Sequence, residues 1–133
     1  MVKASASFQL LYISRLAPGC DFSIVKGIVD VARRSNPARG ITGALLFDGE
    51  RFCQLIEGRE PEVRMLMSRI EADVRHTRVR VLHDGVSGAG PVMQRWASGY
   101  CDAPDLDGLD TAAAIKPSPI DQFNAVLNRA DII

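Results

Sequence analysis

The chain is predicted to fold as an α+β, ferredoxin-like β-α-β-β-α-β-β sandwich. Two helices lie on one face of its sheet and a short C-terminal helical segment on the other. Three observations carry this expectation. The apolar pattern switches between period two and period 3.6 in that order along the chain. Asp48-Gly49 separates two strand-like runs, as a two-residue hairpin turn does. Each long helical run follows one strand and precedes another, as in a split β-α-β unit. A length of 133 residues suffices for one domain with its own core.

Residues 8–14 (FQLLYIS) form the first strand, and Ala17-Pro18-Gly19 ends it. Asp21 caps a helix running to about Arg34, with Ile24, Val25, Ile28, Val31 and Ala32 on its apolar side. Gly40 to Phe47 is the second strand and Arg51 to Glu57 the third, which Gly58 breaks. Pro61 suits a first helical turn, and Glu60 and Glu62 complement the positive helix end. Val63, Leu66, Met67 and Ile70 then repeat at core spacing. A fourth strand covers about Arg78 to Leu82, residues 85–91 form a loop, and Trp96 to Cys101 is the fifth strand. Residues 104–118 read as a linker rich in Pro, Asp and small side chains. Ser118-Pro119-Ile120-Asp121 starts a last helix through Phe123, Val126 and Leu127, placed to cover the second sheet face or to bind a partner. The chain therefore divides into residues 1–103, a ligand-binding domain, and 104–133, a linker with a helical cap or output segment.

Composition excludes several classes. Sixteen basic residues balance sixteen acidic ones, so no basic excess points to nucleic acid or a membrane surface. A net charge near zero eases self-association. No apolar run approaches a membrane span. The apolar stretch after Lys3 is broken by Gln9, which argues against a signal peptide. Cys20, Cys53 and Cys101 lack metal-ligand or CxxC spacing and read as reduced cytoplasmic thiols.

Candidate site residues come from polar groups in apolar settings. Alternation puts Phe52, Gln54 and Ile56 on one face of the third strand, with Cys53 and Leu55 on the other. A carboxamide buried there without partners costs about 1–3 kcal/mol, so another side chain, a water or a ligand with polar edges must satisfy it. Tyr12 shares a strand face with Phe8, Leu10 and Ser14. In this fold the first and third strands are neighbours at the sheet centre, so its hydroxyl can meet Gln54 beneath the two helices. Asn36 ends the first helix just before Pro37, where a helix C-cap is the plain explanation, since Asn tolerates left-handed geometry. Arg69 and Asp73 are four apart on the second helix, the spacing of a surface ion pair. His76 follows Arg75 at a helix end, where the dipole alone favours a cation; His83 reads as a surface residue. With Ile28 and Ile70 as apolar walls, these groups frame a slot for a flat heteroaromatic ring with a hydrogen-bonding edge.

The segments LLYIS at 10–14, SNPARGITG at 35–43, DGERFCQLIEG at 48–58, IEADVRH at 70–76 and the stretch around Trp96 resemble, in order and spacing, the BLUF family of flavin-binding blue-light sensors. The resemblance covers Leu10 to about Tyr100. It implies a flavin between the two helices: FAD, or alternatively FMN or riboflavin. Tyr12 matches the tyrosine that donates an electron, with its proton, to the excited flavin. Gln54 matches the glutamine that rotates or tautomerises, rewiring bonds to flavin N5 and C4=O and red-shifting the spectrum. Asn36 matches the asparagine at the polar ring edge, Arg69 and Asp73 match flavin contacts, and Ile28 and Ile70 match the residues that sandwich the ring. Arg75 and His76 resemble residues near the ribityl and phosphate end. Trp96 and Ser98 fall in the signalling strand, where many relatives carry methionine at the position of Ser98. Ser35 and Ala32 also depart from many relatives, at positions that tune spectrum or affinity.

The implied function is a stand-alone photoreceptor that is not itself an enzyme. Its output passes through association with itself, as a homo-oligomer, or with an unidentified downstream protein. Alternatives are a light-insensitive BLUF-like flavin-binding or interaction module, a flavin oxidoreductase, and an acylphosphatase-like hydrolase. The last two lack a GxGxxG fingerprint and a phosphate-cradling loop carrying Arg, respectively.

Overall fold

A computed structural model describes residues 7–88, 90–111 and 118–133. Its elements run β1 (Ser7–Leu16), α1 (Phe22–Ala38), β2 (Thr42–Phe47), β3 (Arg51–Gly58), α2 (Glu60–Ala72), β4 (His76–Ser87), β5 (Trp96–Tyr100), α3 (Ala103–Thr111), α4 (Pro119–Arg129) and β6 (Asp131–Ile132). One sheet holds all six strands in the order β4-β1-β3-β2-β5-β6. The first four form the expected antiparallel arrangement, β5 adds parallel to β2, and β6 closes the far edge.

The sheet is buried on both sides because β1, β2 and β3 carry apolar residues at both phases of the alternation. One face carries Phe8, Leu10, Tyr12 and Ile56, packed with Val63 and Met67 of α2, and Leu45, Phe47 and Phe52, packed with Val25 and Val29 of α1. The other carries Leu11, Ile13, Leu46, Cys53 and Leu55 under Leu106 and Leu109 of α3 and Phe123, Val126 and Leu127 of α4. Asp21 caps α1 as expected, accepting from the Ser23 and Ile24 backbone N–H groups. The Ser118 hydroxyl caps α4 in the same way, accepting from Asp121 N–H.

Three expectations change. Residues 104–111 belong to α3 and not to a linker; residues 112–118 are described only at Ser118. Pro104 and Asp105 suit a first helical turn, and Leu106 and Leu109 supply the one-sided apolar stripe that so short a helix needs. The fourth strand runs well past Leu82 to Ser87, so the first residues of the expected 85–91 loop are strand. His83 is half-buried on that strand and not a plain surface residue. The two-residue β6 offers too short a pattern for any periodicity to reveal.

Arg51 ties α3 to the sheet. It is 6% exposed, and its guanidinium reaches Asp48 at 3.0 Å, Asp107 at 2.6 Å, Asp110 at 3.0 Å and the Ala103 carbonyl at 2.9 Å. Arg80 donates to both the Asp110 carboxylate and its carbonyl.

Gly43 shows how tightly β2 approaches β3. Its φ is +136°, and a Cβ there would lie 1.9 Å from the Leu55 carbonyl oxygen. Gly43→Ala is therefore expected to lower stability by about 2–4 kcal/mol, read from urea unfolding. A change below about 0.5 kcal/mol would mean that β2 can move away without cost.

Candidate functional site

The site begins with sheet register. β1 and β3 pair so that Tyr12 lies directly opposite Gln54, and alternation turns both toward α1 and α2. The Gln54 Nε2 donates to the Tyr12 hydroxyl oxygen at 2.9 Å. Both residues are buried, at 3% and 4% exposure. Burial pushes the Tyr12 phenol well above its ordinary value, so it stays protonated at any physiological pH. No other described residue hydrogen-bonds to either side chain.

These two groups form the floor of a cavity of about 180 Å³ between the helices. Helical spacing on α1 brings Ile28, Ala32, Ser35 and Asn36 to one wall; Leu66, Arg69 and Ile70 of α2 form the other. Asp73, Arg75 and His76 close one end. All ten residues expected to bind a cofactor thus line one cavity, together with Val31, Ala32, Arg39, Phe52 and Leu66. Of these five, Arg39 and Leu66 lie one helical turn from Ser35 and Ile70, and Phe52 shares the strand face of Gln54. Those spacings are the sequence signals that point to them.

Asn36 is 2% exposed, yet no described residue bonds to its carboxamide. It is not the helix cap: α1 continues through Pro37 to Ala38, with Arg39 at the cap. The Asn36 backbone carbonyl accepts from Arg39 and Ile41 N–H at 3.0 and 2.9 Å, closing the helix end and leaving its side chain to the cavity.

The Arg69–Asp73 ion pair does not form. Asp73 leaves α2 as its C-cap and takes Arg75 instead, with bonds of 2.9 Å to Nε and 2.6 Å to Nη2. The Arg75 guanidinium holds Asp73 below the usual carboxylate range. Among the described residues Arg69 reaches only the Met65 sulfur, at 4.0 Å. His76 starts β4 and is held at both nitrogens: Nε2 lies 2.5 Å from the Ile70 carbonyl and Nδ1 2.8 Å from the Ser14 hydroxyl. A carbonyl only accepts, so Nε2 carries the proton and, in the neutral ring, Nδ1 accepts from Ser14. His76 is thus a fixed wall against the rings of Tyr12 and Phe52, each 6.2 Å away.

Trp96 and Ser98 lie off the cavity. Ser98 pairs with Leu45, which pairs with Gln54, so one strand separates the serine from the glutamine. Trp96 packs where the two helix-side clusters meet. The Trp96 Nε1 and the Ser98 hydroxyl are buried without a hydrogen-bond partner among the described residues.

Sheet, helices and slot together define a ferredoxin-like ligand-binding domain with a tyrosine–glutamine pair at the base of an apolar cleft. The profile of the BLUF family, described as sensors of blue-light using FAD, matches residues 8–93. The chain belongs to the BLUF family. It is 36% identical over 70 residues to the blue light- and temperature-regulated antirepressor BluF of Escherichia coli (strain K12), covering 53% of this chain and 17% of that protein. It is 33% identical over 110 residues to photoactivated adenylate cyclase subunit alpha of Euglena gracilis, covering 81% of this chain and 10% of that one. The chain therefore spans under a fifth of the length of these relatives. Among solved structures, the dark state of the BLUF protein BlrB matches with a TM-score of 0.71 and 27% identity, over 94% of this chain and 97% of that one.

A flavin suits the residues present. Among the described residues, the Asn36 carboxamide and the far end of the Gln54 carboxamide have no partner, and Ile28, Leu66 and Ile70 offer flat apolar walls. A planar ring with donors and acceptors along one edge answers both needs. Among the described residues, no helix is long and apolar enough to cross a membrane.

Proposed function

We propose that this chain senses blue light through Tyr12 and Gln54 acting on a bound FAD. The observation that carries the reading is the buried Tyr12–Gln54 hydrogen bond at the base of a cleft that also holds Asn36, whose carboxamide has no partner among the described residues. A bound flavin supplies the visible absorption and an excited ring that accepts an electron. Tyr12, neutral and desolvated, would give that electron to the ring together with its phenolic proton. Gln54 is the switch: an amide both donates and accepts, so one rotation exchanges donor for acceptor at nearly constant volume. Asn36 holds the polar ring edge, Ile28 and Ile70 sandwich the ring, and Ser35 and Arg69 line its sides. Asp73 fixes Arg75 toward the ribityl and phosphate end, where His76 acts by shape.

Output passes through association, with a second copy or with another protein, and not through catalysis by this domain. Residues 104–133, tied to β3 by Arg51, are the output segment. The three free thiols fit a reducing, cytoplasmic compartment. FMN and riboflavin remain the alternatives to FAD, and chromatography of the released cofactor separates the three.

Absorption spectra before and after blue light test the reading. A flavin band that moves reversibly to the red is expected. A bound flavin that never shifts would replace it with the second reading, a light-insensitive flavin-binding module. Ser98 favours that second reading, since its small hydroxyl sits in the signalling strand in place of a thioether. Ser98→Met is expected to change dark recovery by about two- to tenfold, the rate equivalent of a thioether packing contact of ~0.3–1.5 kcal/mol. Unchanged recovery and partner affinity would remove any special role for Ser98.

A further inference from the structure

Glu57, one residue before the end of the strand of Gln54, is a fully buried carboxylate with no cationic partner among the described residues. Three N–H donors hold it. Gln9 Nε2, directly across on β1, donates to Oε2 at 2.8 Å. The backbone N–H of Val92 donates to the same oxygen at 2.7 Å, and that of Met93 to Oε1 at 2.9 Å. A carboxylate accepting from two successive backbone amides grips the chain itself, independent of the side chains there. Hydrogen bonds to an ionised acceptor are roughly twice as strong as neutral ones.

The gripped segment leads directly into β5, three residues before Trp96. The family profile ends at residue 93, so this join lies at the edge of the matched region. β3 therefore carries Gln54 toward the cavity at one position and, three residues on, holds the entry to β5 from its opposite face. β5 also pairs with β2, but only from Gly43 onward, and among the described residues the loop before it makes no other buried polar bond to the strand of Gln54.

We propose that Glu57 is a positioning residue that couples β3 to β5: its carboxylate clamps the Val92–Met93 backbone, so that a shift at Gln54 is delivered to the Trp96 strand. This rests on the blue-light reading above. Glu57 does not line the cavity, so its substitution leaves the flavin photoreaction in place and interrupts its transmission to β5.

Trp96 is the chain's single tryptophan, so its fluorescence reports on β5 alone. The test records two signals on flavin-loaded protein: the flavin red shift and the light-minus-dark change in tryptophan emission. Glu57→Gln keeps the side-chain volume but turns one acceptor into a donor facing a backbone N–H. The expected result is an unchanged flavin shift with the tryptophan response reduced at least threefold. Val92→Pro removes one N–H donor from an exposed position without touching the carboxylate, and decides the question alone if Glu57→Gln does not fold. A tryptophan response equal to wild type in both variants overturns the proposal. So does a wild-type protein whose flavin shifts while Trp96 stays silent, or a variant that binds flavin and loses the shift itself. A wild-type flavin that never shifts instead overturns the light-sensing reading, and the proposal falls with it.

Discussion

Gln54→Ala is expected to bind its flavin and lose the reversible red shift entirely. The physical reason lies in what the side chain does and does not support. Among the described residues its amide makes one hydrogen bond, to Tyr12, and otherwise faces the cavity. Removing it leaves the apolar walls of α1 and α2 and the Asn36 carboxamide, so affinity falls by no more than about tenfold, the worth of one hydrogen bond of ~1–1.5 kcal/mol. The donor–acceptor exchange has no substitute, because among the described residues Gln54 is the one carboxamide hydrogen-bonded to Tyr12. Tyr12→Phe separates the two roles. It keeps the ring packed against His76 but deletes the hydroxyl that Gln54 holds, and with it the readily oxidised, proton-releasing group. Loss of the shift in both variants, at near-normal flavin content, assigns donor and switch to this pair. A shift of normal size in Gln54→Ala would remove Gln54 from the mechanism, whatever Tyr12→Phe did.

The part of this site that sequence makes legible is the part set by local periodicity. Tyr12 and Gln54 fall on one sheet face because a period of two fixes facing; the Asp48-Gly49 turn pairs β3 with β2, and the ferredoxin-like strand order sets β3 beside β1. Ile28, Ser35 and Ile70 follow from helical spacing in the same way. Spacing fails where two partners compete. Arg69 lies at i−4 from Asp73 and Arg75 at i+2; the helix ends at Ala72, and the extended backbone of the cap lets Arg75 win. Contacts between distant parts of the chain leave no local pattern at all. Arg51 meets Asp107 and Asp110 across 56 and 59 residues, and Glu57 meets Val92 and Met93 across 35 and 36. Both read in the sequence as ordinary charges at strand ends. α3 hid for a different reason: two buried leucines among Asp, Pro and Gly give a weak stripe, and its burial comes from the sheet beneath it.

Arg51→Ala is expected to be the most destabilising of the charge substitutions, by about 3 kcal/mol, toward the low end of the range for breaking a buried pair. The low end applies because Asp107 is exposed and water replaces its lost bond cheaply. Asp48 is different. Its side chain is almost fully buried, and it keeps only the Glu50 and Arg51 backbone donors once the guanidinium is gone. Acid should act on the same tie. Burial alone would raise the Asp110 carboxyl, but the hydrogen bonds from Arg51 and Arg80 outweigh it and hold the group below the usual range. A carboxylate depressed in the folded state stabilises fully above its unfolded value. That contribution is lost as pH falls below about 4 and through the folded value. Wild-type stability from urea unfolding should therefore drop across that window, and Arg51→Ala should drop less, since Asp110 then keeps Arg80 and the longer 3.7 Å contact with Arg15 but loses its bond from Arg51. Equal slopes in the two proteins would mean that Arg51 does not set the titration of Asp110. Because Arg51 precedes Phe52, which lines the cavity, the variant also asks whether α3 is needed for the photoreaction. The flavin shift should persist, since the strand residues of the cavity face away from α3, while any association that depends on residues 104–133 should weaken.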